Sequence, residues 1–119
     1  MTKKEIAARL ADLCRQGQFE TAQKELYAEN AISIEPYDMP DFPKETKGLP
    51  GIIEKGHKFQ STVETIHSLA VSEPLVVAGS FAVTLQIDMT AKEKGRMDMS
   101  EICVYNVKDG KIISEEFFV

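Results

Sequence analysis

Residues 100–119 indicate a β-hairpin, and this hairpin decides the fold: Ser100-Glu-Ile-Cys-Val-Tyr-Asn-Val-Lys-Asp-Gly-Lys-Ile-Ile-Ser-Glu-Glu-Phe-Phe-Val119. Lys108-Asp109-Gly110 predicts a type I turn followed by a left-handed residue, because Asp tolerates the second turn position and Gly takes a positive φ without a steric clash. Val107 is then expected opposite Lys111. That register predicts three further cross-strand pairs on one face: Tyr105 with Ile113, Cys103 with Glu115, and Glu101 with Phe117.

Both faces of this hairpin carry apolar side chains. One face combines Glu101 and Glu115 with aromatic residues, and the other is predicted to carry Ile102, Val104, Ile112 and Phe118. An antiparallel sheet with a solvated face alternates apolar and polar residues instead. We therefore expect helices on the first face and, on the outer face, the same apolar patch of a second subunit, which predicts a homodimer.

Composition limits the possible classes of protein. The chain has 119 residues, 43% of them hydrophobic, which predicts a single domain spanning residues 1–119. The net charge of −5 disfavours nucleic acid as a partner, since that binding needs clustered positive charge. No apolar run has the length of a signal peptide or membrane span, so we expect no membrane association and a cytoplasmic location.

Neither a metal site nor a cofactor is predicted. Cys14 and Cys103 are isolated from each other and lack metal-ligand spacing, which favours two reduced, buried thiols. His57 and His67 have no Cys or second His at ligand spacing. Gly48 and Gly51 bracket a proline without the Lys-Ser/Thr of a phosphate-binding loop.

The remaining elements follow from periodicity. Helical spacing predicts two short helices between Ile6 and Leu26, and Ala31 to Pro36 predicts a strand. A third helix is expected from Gly51 to Ile66, and strict alternation from Phe81 to Thr90 predicts a half-buried strand. Helices followed by a run of strands are typical of the α+β class. We predict three helices packed on the concave side of a curled mixed or antiparallel sheet, with a cavity at its open end.

Four segments resemble the nuclear transport factor 2-like (NTF2-like) superfamily, and within it the SnoaL-like family. They span nearly the whole chain: Leu26–Pro36, Lys47–Ile52, Val77–Val83 and Asp109–Ile112. The resemblance implies a cystatin-like α+β cone. Domains of this kind include isomerases, cyclases, dehydratases, ligand binders and protein-binding modules, so the fold alone leaves the function open.

The ketosteroid isomerases of this superfamily have a catalytic base on the first strand, directly before a proline. The resemblance places Glu35 at that position. It also places Cys103 where those enzymes keep a protonated Asp, and Leu10 or Ala11 where they keep a tyrosine. A thiol is a much poorer hydrogen-bond donor than a carboxylic acid. The sequence therefore does not favour steroid isomerisation.

Carboxylates are the leading candidates for chemistry. If Glu35, Glu101 and Glu115 converge on the cavity, apolar surroundings and mutual repulsion would raise at least one pKa and suit it to proton transfer. We predict Glu35 and Glu115 as catalytic. The alternative is that these carboxylates pair with Lys or Arg at the sheet edge, or lie in the dimer interface.

A ligand site is predicted around the carboxylates. Its expected members are Tyr37, Phe59, His67, Glu101, Cys103, Tyr105 and Phe117. The two tyrosines would donate to a carbonyl ligand or only pack, and Phe59 would line an apolar site or only fill the core. Cys103 is expected to be a poor nucleophile, because a neighbouring carboxylate raises the pKa of its thiol.

The sequence thus predicts a domain that binds a small apolar molecule, with general acid/base isomerase, cyclase or dehydratase activity on an apolar carbonyl compound as one possibility. A non-catalytic ligand binder and a protein-interaction or dimerisation module are the alternatives. An enzyme needs a perturbed carboxylate in an open cavity, a binder needs the cavity alone, and an interaction module needs neither.

Overall fold

The structure, a computed structural model, describes all 119 residues as three helices and seven strands. The helices are α1 (Lys3–Arg15), α2 (Phe19–Leu26) and α3 (Leu49–Thr62). The strands are β1 (Tyr27–Ile34), β2 (Glu45–Lys47), β3 (Val63–Val71), β4 (Leu75–Val76), β5 (Ser80–Ala91), β6 (Gly95–Lys108) and β7 (Lys111–Phe118). The predicted class, α+β with three helices on a mixed sheet, is confirmed.

The strands form one mixed sheet in the order β2-β1-β7-β6-β5-β3, and β4 pairs with β5. Strands β1 and β7 run parallel, and every other pair is antiparallel. The parallel pair places Ser33 directly beside Glu115. The site described below is built on this pair.

Helix α1 supplies much of the core. Thr2 and Glu5 form a capping box at its start, an arrangement that contributes on the order of 1 kcal/mol. Its buried face packs against inward-facing residues of β5, β6 and β7, among them Phe81, Tyr105 and Ile112. This contact defines the inner face of the sheet, which carries the helices.

Helix α3 ends earlier than predicted. It runs from Leu49 to Thr62, and the residues from Val63 onward form β3. Four of the five residues from Thr62 to Ile66 are β-branched, which favours a strand, so the apolar spacing that predicts a longer helix is misleading there. Ile66 accordingly lies on β3, half exposed at 49%.

The β6–β7 hairpin has a different turn and register from those predicted. Asp109 and Gly110 both have positive φ, 52° and 76°, which is the pattern of a two-residue type I′ turn. Val107 therefore pairs with Ile112, and Tyr105 pairs with Glu115 beyond an irregularity in the register. The predicted pairs of Val107, Tyr105, Cys103 and Glu101 with residues 111, 113, 115 and 117 were wrong.

One residue assigned to the outer face lies in the core. Ile112 is fully buried among the helix-facing residues, because the register shift between Val107 and Asn106 reverses its side relative to the later residues of β7. Ile102 and Phe118 are about half exposed, at 48% and 47%, and they are cross-strand partners. None of the three helices is long and apolar enough to cross a membrane.

Candidate functional site

Glu115 is the most buried charged group in the structure, with 3% of its surface exposed. The Tyr27 hydroxyl donates to its Oε1, and the Ser33 hydroxyl donates to its Oε2 at 2.6 Å. Burial raises the pKa of Glu115, while the bonds from Ser33 and Tyr27 oppose that rise. The same burial and the adjacent carboxylate raise the pKa of Tyr27, so the phenol keeps its proton.

Lys55 connects this buried carboxylate to Glu35. Its Nζ donates to Ser33 Oγ at 2.5 Å and to Glu35 Oε2 at 2.8 Å. The two charged side chains are mostly buried, with 12% of Lys55 and 25% of Glu35 exposed. The result is a continuous polar chain on the inner face, Tyr27–Glu115–Ser33–Lys55–Glu35, which we call the inner-face chain.

The start of α3 places Lys55 over the sheet. Gly48, with φ 93°, donates its N–H to Ala31 O of β1 at 2.8 Å, and Ile52 N–H bonds to Gly48 O. These bonds fix the first turn of α3 against β1. The side chain of Lys55, one turn after Ile52, therefore reaches Ser33. Lys55 Nζ also lies 5.6 Å from the centroid of the Phe117 ring, within the range of a cation–π contact.

Glu101 is the third carboxyl group near this chain. It is partly buried, and Cys103 Sγ donates to its Oε1 at 3.7 Å. Burial, helped by the negative charge of Glu35, raises the pKa of Glu101 from 4.5 to about 7. Near neutral pH a substantial fraction of Glu101 therefore carries a proton, while Glu35 has a cation bonded to it. The two carboxyl groups have different environments, as acid/base pairs require.

Cys103 and Tyr105 lie behind these carboxyl groups as buried packing residues. Burial and neighbouring Glu101 raise the pKa of the Cys103 thiol, which makes it a weak nucleophile. Burial also raises the pKa of Tyr105, whose ring stacks on Phe81 at a centroid distance of 4.8 Å. Both side chains therefore keep their protons at neutral pH and contribute uncharged packing surface.

Three predicted ligand-site residues do not join the cluster. Tyr37 follows β1 and is 63% exposed. His67 is exposed on β3, with Nε2 2.7 Å from Thr90 Oγ1. Phe59 packs in a second apolar cluster with Ile87 and Met89. The structure brings together the other six predicted residues: Glu35, Glu101, Cys103, Tyr105, Glu115 and Phe117.

Two surface depressions include neither Glu35 nor Glu115, so neither is the cavity that the sequence predicts around both carboxylates. One, of about 230 Å³, lies between the loop after β1 and the end of α3, with Asp41 and Lys58 in its wall. The other, of about 240 Å³, opens at the end of β7 and is lined by Thr84, Ser100, Glu101, Ile102, Phe118 and Val119. Glu101 thus contributes to both a depression and the carboxyl cluster. No group of three or more His, Cys, Asp or Glu side chains is arranged to hold a metal ion.

Sequence reasoning missed three members of the inner-face chain: Tyr27, Ser33 and Lys55. A signal for two of them was present. Lys55 follows Ile52 by three residues, inside the apolar stripe of α3, where a cation is unexpected. Ser33 alternates with Ile32 and Ile34, which puts it on the same face as Glu35. Tyr27 had no comparable signal, because an irregularity in β1 pairing precedes Ile32.

Comparisons with known proteins agree with the architecture. A family model described as SnoaL-like domain matches residues 1–119. A solved structure from Mesorhizobium loti, described as a candidate SnoaL-like polyketide cyclase with carbohydrate phosphatase as a second label, is 32% identical with full coverage of both chains and a TM-score of 0.93. No curated protein matches the sequence significantly.

More distant structures share the fold alone. An NTF2-like protein from Burkholderia pseudomallei is 13% identical with a TM-score of 0.80, and the match covers 99% of this chain and 91% of that one. A protein with a cystatin-like fold from Xanthomonas campestris is 15% identical with a TM-score of 0.82, covering 99% and 90%. The NTF2-like, cystatin-like architecture expected from the sequence is confirmed.

Proposed function

Because the chain belongs to the SnoaL-like domain family, we propose that it binds a small apolar carbonyl compound and transfers a proton on it, with Glu35 as the general base. The observation that carries this proposal is the mostly buried Glu35–Lys55 ion pair. A charged pair on a mostly apolar face is costly to desolvate and contributes little net stability. Its position next to a second carboxyl group with a raised pKa is typical of functional sites.

Geometry divides the work among the three carboxyl groups. Glu35 has one oxygen, Oε2, bonded to Lys55, so its Oε1 is free to accept a proton from carbon. Glu101, with a pKa of about 7, is suited to returning or donating a proton near neutral pH. Glu115 has both oxygens occupied and 3% exposure, so we propose that it positions Ser33 and Lys55 rather than contacting a ligand.

The reaction class follows from these roles. Removal of a proton next to a carbonyl group gives an enolate, which completes an isomerisation when it is protonated at another, conjugated carbon. Alternatively its carbon attacks a second carbonyl group to close a ring, and the new alkoxide oxygen takes the proton. The M. loti relative is described as a candidate SnoaL-like polyketide cyclase, and cyclisation is one of the reactions proposed for this site. We propose that this step uses no metal or cofactor.

Hydrogen–deuterium exchange at carbon tests the proposal. Small cyclic ketones, whose C–H exchange in buffer is slow, would be incubated with the protein in D₂O, and loss of the C–H signal next to the carbonyl group would be followed by NMR. We expect exchange above the buffer rate in the wild type and a loss of roughly 10²-fold or more in Glu35→Gln, the range for removing a general base. Glu29→Gln, at an exposed carboxylate on β1, the strand that Glu35 directly follows, is the matched control.

A protein-interaction module is the second candidate, and the outer face favours it. Ile102 and Phe118 form an exposed apolar pair at the edge of the 240 Å³ depression. Ile112, assigned to this face from the sequence, belongs to the core, so the proposed homodimer contact reduces to Ile102, Val104 and Phe118. Such a dimer is compatible with catalysis at the inner face. The cytoplasmic location remains a prediction from the sequence.

A further inference from the structure

Lys55 has hydrogen-bonding capacity that the inner-face chain does not use. Its ammonium group has three N–H donors, and two are committed, to Ser33 Oγ and Glu35 Oε2. The side chain is 12% exposed, so it is not sealed off from solvent. A third donor remains for a group that enters beside Glu35.

The geometry points to Lys55 as the electrophilic partner of Glu35, donating its free N–H to the carbonyl oxygen of an enolisable substrate. This inference rests on the proposed function and names the feature that the substrate must carry. A base that takes a proton from the carbon next to a carbonyl group lies close to the carbonyl oxygen as well. A donor bonded to the base at 2.8 Å is within reach of that oxygen.

Charge is conserved in the step. Before reaction, Lys55 neutralises the Glu35 carboxylate. The C–H bond breaks, its proton goes to Glu35 Oε1, and its electron pair moves through the carbonyl group to give an enolate oxygen. Lys55 then faces a neutral Glu35 and an anionic oxygen. Its positive charge pairs with the carboxylate before the step and with the enolate after it, so the net charge of the site does not change.

The surrounding residues hold Lys55 ready for this role. One N–H of Lys55 is bonded to Ser33, and Ser33 is in turn bonded to Glu115. These bonds restrict the rotation of the ammonium group and hold it in place over the sheet. The Phe117 ring lies 5.6 Å away and presents an apolar wall on that side. A preorganised donor in an environment of low polarity stabilises developing charge better than the same group in water.

The test uses 4-nitrophenol, whose anion resembles an enolate and absorbs visible light more strongly than the neutral phenol. Glu35→Gln is the reference background, because Gln resembles the protonated base and removes the carboxylate that is bonded directly to Lys55. The variants to compare in this background are Lys55→Met, Lys55→Arg and, as a matched surface control on α3, Lys58→Met. Thermal unfolding of each variant verifies that it is folded.

We expect E35Q to bind the phenolate and to lower the apparent pKa of the bound probe by at least about one unit relative to E35Q/K55M, a tenfold difference in affinity for the anion. E35Q/K55R should retain part of this preference, and E35Q/K58M all of it. The inference is overturned if E35Q and E35Q/K55M bind the same fraction as phenolate. If no variant binds the phenol, the inference is overturned while the proposed function stands on the exchange result. If the wild type also fails to exchange C–H, the proposed function itself is refuted.

Discussion

The raised pKa of Glu101 makes the stability of this protein depend on pH in a defined direction. The unfolded chain releases the proton of this group around pH 4.5, whereas the folded chain holds it until about pH 7. Folded protein therefore binds the proton more tightly. The contribution of protonated Glu101 to the free energy of unfolding is fully present below pH 4.5 and is lost as pH rises through 7.

The magnitude follows from the pKa difference. At 1.36 kcal/mol per pKa unit, a rise from 4.5 to about 7 corresponds to about 3 kcal/mol of free energy of unfolding. Glu101→Gln keeps the shape of the protonated acid and removes the titration. We expect the variant to match the wild type near pH 4 and to exceed its free energy of unfolding by up to about 3 kcal/mol at pH 8.

Urea denaturation between pH 4 and 8, at one protein concentration, measures this difference. Other groups also titrate, for example Asp88, whose pKa is lowered by Arg96, so only the difference between wild type and variant isolates Glu101. Glu93→Gln, in the exposed β5–β6 turn, serves as the control and should show a parallel curve. Parallel curves for Glu101→Gln as well would refute the argument that burial keeps this carboxyl group protonated.

Three further predictions concern single contacts. Tyr27→Phe leaves one buried oxygen of Glu115 without its donor and should lower the free energy of unfolding by about 1–3 kcal/mol, whereas exposed Tyr37→Phe should change it little; urea denaturation measures both. Gly110→Ala, at φ 76°, should cost about 1–2 kcal/mol in the same assay because the type I′ turn forces a side chain into the left-handed region. Phe118→Asp should convert the proposed homodimer into a folded monomer, which sedimentation velocity at micromolar concentration detects; a wild type that already sediments as a monomer contradicts the interface.

Elements whose conformation depends on neighbouring residues were predicted from periodicity. Alternation from Phe81 to Thr90 gave β5 correctly, and the apolar stripe around Ile52 gave the body of α3. The same stripe was extended too far at Val63, where spacing compatible with a helix coincides with β-branched residues. Periodicity cannot separate these two cases over a single turn.

The site was predictable only in part, because its contacts depend on pairings far apart in the chain. Glu35 was predicted through a family resemblance, and Glu101 and Glu115 through the alternation of faces along the hairpin, which the error in register left unchanged for these residues. The partners of Glu115 depend on the parallel pairing of β1 with β7, and no local pattern indicates that pairing. The role of Lys55 depends in turn on the position of α3 over Ser33.

The parallel β1–β7 pair also has a consequence for folding kinetics. Strand β7 fills the position between β1 and β6, so Ser33 and Glu115, 82 residues apart, meet only after most of the chain has been brought together. Closing such a long loop is entropically slow compared with forming a hairpin. We therefore expect the β6–β7 hairpin to form early in refolding and the inner-face chain to assemble in a late step that consolidates the sheet.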